Sequence, residues 1–147
     1  MTGVTLTRLK RVSVINGDVY HALKASEESF KGFGELYFSR IDYGKVKGWK
    51  KHTKFTLNLT VPAGYVRFVV FSSDKEAGLP AELVGEYLIG ADDNHQRLTV
   101  PPGYWVAFQG LEQSLNVIAN VIPEEHIPGE AENIKLAAIP YDWKIPE

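Results

Sequence analysis

The sequence predicts an all-β chain closed into a barrel or sandwich. Three observations carry this. Short runs of alternating, β-branched or aromatic residues recur at a spacing of roughly 8 to 12 residues. Gly, Pro, Asn or Asp bounds almost every run, as turns demand. No long amphipathic helical pattern separates successive runs, as a parallel βαβ sheet would require.

Thr5 to Ile15 alternates loosely and stops at Asn16-Gly17-Asp18, where Asn and Gly tolerate a positive φ, so it reads as a first strand. Ala22 to Phe30 carries helix formers with Glu27 and Glu28 between Ser26 and Ser29, which suits one short helix. Glu35 to Ile41 alternates again, and Lys45 to Val61 follows the loop at Tyr43-Gly44. Pro62-Ala63-Gly64 turns the chain into Tyr65 to Ser72, rich in Val, Phe and Tyr. Glu82 to Gly90, Gln96 to Val100, Gly103 to Gln109 and Leu115 to Ile122 complete the series. The tail 123–147 is acidic, proline-rich and reads as irregular.

With 147 residues, the chain suits one domain over 1–147, since domains commonly run to about 100 to 150 residues. Hydrophobic residues make up 44% and charged residues 23%, which is ordinary globular usage and excludes a disordered or fibrous class. A net charge of -2 and no basic run longer than Lys50-Lys51 offer no footprint for nucleic acid or an anionic membrane. Without cysteine, thiolate chemistry and cysteine zinc sites are excluded, and no oxidising compartment is needed. Met1 to Arg11 lacks the apolar core of a signal peptide, so a cytoplasmic protein is expected.

Alternation assigns faces. In Lys50 to Val61 one parity holds Lys50, His52, Lys54, Thr56, Asn58 and Thr60, while the other is apolar from Phe55 onward. The polar parity either meets solvent, as in many antiparallel sheets, or lines a barrel cavity that holds a small ligand. Leu115 to Ile122 repeats the pattern with Asn116 and Asn120, and Arg67 interrupts an apolar strand. A buried Arg or Asn needs a partner, which a ligand phosphate, a sugar hydroxyl or a cross-strand carboxylate could supply. His21, His52, His95 and His126 are scattered without a spaced carboxylate, so no metal is expected. No phosphate loop, nucleophile elbow or dinucleotide fingerprint occurs.

Three ordered motifs bear a likeness. Lys47-Gly48-Trp49-Lys50-Lys51-His52 resembles the Arg-Gly-x-His segment of the dTDP-4-dehydrorhamnose 3,5-epimerases and the Arg-Gly-x-His-x-His segment of the dTDP-sugar 3,4-ketoisomerases. Gly34 to Ser39 lies upstream, and Asn94 to Leu98 leads into Val100-Pro101-Pro102-Gly103-Tyr104-Trp105, in matching order and spacing. His126-Ile127-Pro128, with Glu130 and Glu132, resembles the epimerase tail. The resemblance implies a cupin jelly roll with one or two short helices, a homodimer, no cofactor, and a nucleotide-linked sugar as partner.

By position, the resemblance puts Lys47 where an arginine meets the diphosphate and His52 where the ketoisomerases carry their second histidine. It makes His52 the candidate base. Lys50 falls where both groups place a histidine; a lysine there could hold an oxyanion or serve as base once desolvated. Two departures stand out: Val106 replaces an epimerase histidine, and Asn120 falls near the expected tyrosine acid. Asn58, Arg67, Arg97 and Asn120 are candidate polar contacts to substrate, and Trp105 could stack a base or sugar ring, or simply pack in the core. The implied activity is an isomerase of a nucleotide-diphosphate 4-keto sugar in polysaccharide or deoxysugar synthesis. A non-catalytic sugar-nucleotide or carbohydrate-binding cupin is the alternative, and a structural cupin the third reading.

Overall fold

A computed structural model describes residues 3–146. Two five-stranded antiparallel sheets face one another. The first has the order β1-β9-β6-β11-β4: β1 (Thr5–Arg8), β4 (Glu35–Arg40), β6 (Leu57–Ala63), β9 (Gln96–Val100) and β11 (Val117–Ile122). The second has the order β12-β5-β10-β7-β8: β5 (Val46–His52), β7 (Tyr65–Ser73), β8 (Pro80–Gly90), β10 (Trp105–Gly110) and β12 (Ala131–Asn133). A small hairpin joins β2 (Arg11–Val12) to β3 (Val19–Tyr20). From β4 to β12 the chain alternates between the two sheets except at the β7–β8 hairpin, which gives the double-sheet barrel that the strand spacing predicts.

Apolar side chains from both inner faces form the main core. Leu57, Leu59 and Val61 of β6, Leu98 of β9 and Ile118 of β11 meet Val66, Phe68 and Val70 of β7 and Ile89 of β8. Burying each such side chain contributes about 1.5 to 3 kcal/mol, so this seam dominates the stability of the barrel.

Three expectations change. The strand expected over Thr5 to Ile15 is two strands: β1 pairs with β9, and β2 turns into its own hairpin. Ala22 to Phe30 is a set of turns, not a helix, because Glu27 spends its carboxylate elsewhere. One carboxylate oxygen accepts from the Lys24 amide at 2.9 Å, and the other takes the Arg97 guanidinium at 2.7 Å. The tail 123–147 is ordered throughout its described part. It supplies β12, the short 3-10 turn Leu136–Ala138, and the cover of a second core on the outer face of the second sheet.

That second core contains Trp49, Val69, Trp105, Ala107 and Ile139. Polar groups pin the tail across it: Trp49 Nε1 donates to the Leu136 carbonyl at 3.0 Å and Gln109 Nε2 to the Trp143 carbonyl at 2.8 Å. The tail is therefore a structural layer, pinned to the second sheet beyond β12.

Candidate active site

The run Lys45 to Val61 is broken by a crossing from the second sheet to the first between β5 and β6. A strand that changes sheet presents its opposite face to the shared interior. Lys50 and His52 on β5 therefore point into the barrel, while Asn58 and Thr60, of the same parity, point out of it and Leu57 and Leu59 point in. The cavity reading holds for Lys50 and His52, whereas Asn58 points away from the cavity and is buried beneath the 22–30 segment instead of meeting solvent.

A second local device adds a further lysine. Opposite Val106 and Phe108 of β10 stand Lys50 and Lys47, so β5 carries one residue more than its partner, a bulge at Gly48-Trp49. The bulge resets the parity, and Lys47 faces the cavity along with Lys50 while Trp49 is buried in the outer core. Gly48 is needed there: its φ is +157°, and a Cβ would come within 2.3 Å of the Ala107 Cβ.

The resulting cavity has a volume of about 400 Å³, within the range of small-molecule sites. Its polar lining is Lys47, Lys50 and His52 from β5, Tyr37 and Ser39 from β4, Asn120 from β11 and Asn133 from β12. Its floor is apolar, with Leu57, Leu59, Val106, Phe108 and Ile118.

His52 has a partner that spacing did not reveal. Its Nδ1 lies 2.6 Å from Oε1 of Glu130, whose side chain is only 3% exposed. The other carboxylate oxygen accepts from the backbone amides of Lys54 at 2.9 Å and Phe55 at 3.1 Å. Burial alone would push the Glu130 carboxyl up, but those two amides and His52 together hold it below the usual carboxylate value. An ionised carboxylate only accepts, so Nδ1 is the donor in this contact, and in the neutral ring the lone pair sits on Nε2. The tail delivers Glu130 to this position because β12 pairs with β5, Ala131 opposite His52 and Asn133 opposite Lys50.

Tyr37 stands on the other sheet. Its hydroxyl accepts a hydrogen bond of 2.9 Å from Asn120 Nδ2. Burial pushes the Tyr37 hydroxyl up, the Asn120 bond pulls it down, and the charges of Glu35 and Glu130 add to the rise. The phenol therefore stays protonated at neutral pH.

Of the eight residues singled out from sequence, the cavity gathers Lys47, Lys50, His52 and Asn120. The other four lie elsewhere. Asn58 faces the outside of the first sheet, where it accepts from Thr99 Oγ1 and donates to the Ser29 carbonyl. Arg97 sits on that same side, its guanidinium taken by Glu27, Ser29 and the Ala22 carbonyl. Arg67 points out of the second sheet and donates to the Lys144 carbonyl at 2.8 Å. Trp105 packs in the outer core under Lys51, whose Nζ lies 5.0 Å from its ring. Asn58, Arg67 and Arg97 each found a partner in a segment that folds back over the sheet, a class of partner invisible to strand parity. Glu130 and Tyr37 were missed as site residues; both lie within motifs whose order matched, and that was their only sequence signal.

No family model and no curated protein matches the chain by sequence. Solved structures do match. A dTDP sugar isomerase from Desulfovibrio desulfuricans G20 superposes with a TM-score of 0.86 at 28% identity, covering 96% of this chain and 90% of that one. The chain has the cupin fold of that isomerase. A dTDP-4-dehydrorhamnose 3,5-epimerase from Sulfolobus tokodaii shares this cupin fold with a TM-score of 0.82 at 20% identity, covering 96% of this chain and 82% of that one. So does a dTDP-6-deoxy-D-glucose-3,5-epimerase from Legionella pneumophila in complex with dTDP-4-keto-L-rhamnose, with a TM-score of 0.77 at 17% identity over 98% of this chain and 80% of that one. Among the described residues of this cupin, no helix is long and apolar enough to cross a membrane.

Proposed function

We propose that the protein is an isomerase, of 3,5-epimerase or ketoisomerase type, acting on a nucleotide-diphosphate 4-keto sugar in polysaccharide or deoxysugar biosynthesis. The observation that carries this reading is the His52–Glu130 pair opening onto a cavity of sugar-binding size in a fold shared with a dTDP sugar isomerase.

The chemistry follows from the groups present. A carbonyl acidifies the neighbouring C–H, and Nε2 of His52 removes that proton. The imidazolium that forms is balanced by the buried charge of Glu130, which also fixes the ring. Negative charge then grows on the carbonyl oxygen, where Lys50 and the neutral Tyr37 hydroxyl are the available donors. Return of a proton at the same carbon from the opposite face inverts it; return at the former carbonyl carbon, with the hydroxyl proton of the first carbon passing to the old carbonyl oxygen, moves the ketone. Lys47, at the same wall, serves the diphosphate. No cofactor enters these steps.

The alternative of a binding-only cupin rested on the missing acid–base pair. It also rested on Lys47, Asn58, Arg67 and Arg97; the His52–Glu130 contact supplies an oriented base and favours the catalytic reading. A cytoplasmic homodimer remains part of the proposal, supported by the cysteine-free composition and by Leu36 and Phe38 exposed on the outer face of β4; sedimentation at micromolar concentration tests the assembly.

The deciding experiment incubates the protein with dTDP-4-keto-6-deoxyglucose in deuterated water and follows C3 and C5 by NMR. Protein-dependent deuterium uptake is expected at one or both positions. Binding without uptake would sink the catalytic reading and leave a binding protein.

A further inference from the structure

The tail brings one polar side chain to the cavity that the steps above leave idle. Asn133 stands directly opposite Lys50 in the pairing of β12 with β5, so the two side chains share a face of the sheet, and both line the cavity. Asn133 is exposed, so a ligand can reach its carboxamide without displacing any protein group. Among the described residues no hydrogen bond engages the Asn133 side chain or the Lys50 ammonium. Lys47, by contrast, already gives a donor to the Arg40 carbonyl at 2.7 Å. The neighbour of Lys50 on its other side, across β10, is Val106. An oxygen held by Lys50 therefore has a carboxamide to one side and an isopropyl group to the other.

A carboxamide both donates and accepts, and so does a hydroxyl, whereas a ketone only accepts. In the isomerase reading Lys50 holds the ketone oxygen at C4, and the two ring carbons beside it differ: C3 carries a hydroxyl and C5 a carbon substituent. We propose that Asn133 decides how the sugar lies: its carboxamide holds the C3 hydroxyl, which leaves the C5 substituent on the Val106 side. The reversed placement would set the hydroxyl against the Val106 methyls without a partner. This rests on the isomerase reading and adds to it a requirement for a hydroxyl at C3. Asn133 acts as a specificity-determining residue, delivered by the same short strand whose pairing sets Glu130 against His52.

Calorimetric titration of dTDP, dTDP-glucose and dTDP-3-deoxyglucose tests this without requiring turnover. The wild type is expected to bind dTDP-glucose about 3- to 10-fold more tightly than the 3-deoxy sugar, the range for one hydrogen bond in a site open to water. In Asn133→Ala the affinity for dTDP-glucose falls by about that factor and the preference over the 3-deoxy sugar shrinks to within about twofold, while dTDP alone binds as before, because the contact is to the sugar. The melting temperature stays unchanged, since the side chain removed is exposed. Equal binding of the two sugars by the wild type overturns the proposal, as does an undiminished preference in Asn133→Ala. A parallel loss for dTDP also overturns it, by placing the carboxamide on the nucleotide. The deuterium experiment separates the two levels: a sugar contact through Asn133 without exchange overturns the isomerase reading alone, exchange without that contact overturns only the role of Asn133, and failure of both sugars to bind overturns both.

Discussion

Two carboxylates reach across the chain to close an ion pair with a strand residue, Glu130 with His52 and Glu27 with Arg97, and the two pairs differ in what they face. Glu130 and His52 are 78 residues apart and meet at the mouth of the polar cavity, with His52 contributing to its lining. Glu27 and Arg97 are 70 residues apart and meet on the outer face of the first sheet, where Arg97 is 1% exposed and is also held by Ser29 and the Ala22 carbonyl. Both terminal nitrogens of Arg97 hold the 22–30 segment in place, and the buried guanidinium offers a ligand nothing. In His52 one nitrogen is anchored and the other is spare. The contrast teaches that burial of a charged pair says little about function; a spare lone pair aimed at a cavity says more.

Substitutions sharpen that contrast, beginning with the largest expected effect. His52→Asn should lower the deuterium exchange rate by a factor on the order of 10² to 10⁴; it also takes one partner from the buried Glu130 carboxylate, so the melting temperature falls as well, with the Lys54 and Phe55 amides limiting that loss. Unchanged exchange would remove His52 from the chemistry. Glu27→Ala should do the reverse, destabilising the protein by about 3 kcal/mol by stranding a buried guanidinium, with the exchange rate per folded molecule retained. Chemical denaturation measures it, and the double change Glu27→Ala with Arg97→Met should recover much of the loss, because no charge is then left unpaired.

Glu130→Gln comes next. It keeps the shape of the side chain but removes the charge that opposes the imidazolium, so kcat should fall roughly 10- to 100-fold, as second partners of catalytic or ligating histidines commonly show. An equal loss of stability and no loss of kcat would make this pair structural like its counterpart. The smallest effect concerns pH. The carboxyls of both Glu130 and Glu27 lie below their ordinary value in the folded protein, Glu27 chiefly through the Arg97 hydrogen bond. Each therefore contributes stability that is present above its unfolded value and is lost as pH falls through its folded one. Acid titration of the melting temperature should show a decline that sets in as pH drops through the ordinary glutamate range and continues through the lower folded values, and Glu27→Gln should make it shallower.

The strands were legible because alternation and turn chemistry are local: β4, β7, β9 and β11 lie where period-two patterns and Gly, Pro or Asn punctuation put them. The sugar-nucleotide motifs likewise brought His52, Lys50 and Lys47 forward by their order along the chain. What failed was any inference carried across an irregular segment. The parity read through Lys50 to Val61 assumed one continuous strand, whereas the crossing between β5 and β6 reverses which face is inside. The tail 123–147 read as irregular because proline and acidic residues obscure a three-residue strand, yet it sets Glu130 against His52 and covers Arg67.

Amino-acid order alone thus determined the all-β class, the strand positions, the freedom from cysteine chemistry and the wall of β5 on which the candidate base sits. Only the folded chain could say which polar residues face inward, that Glu130 orients His52, and that Asn120 and Tyr37 meet across β11 and β4. The physical reason is one of range. Backbone alternation and turn preference act over a few residues, but a hydrogen-bond partner 78 positions away is chosen by sheet pairing and tail packing, which no local pattern encodes.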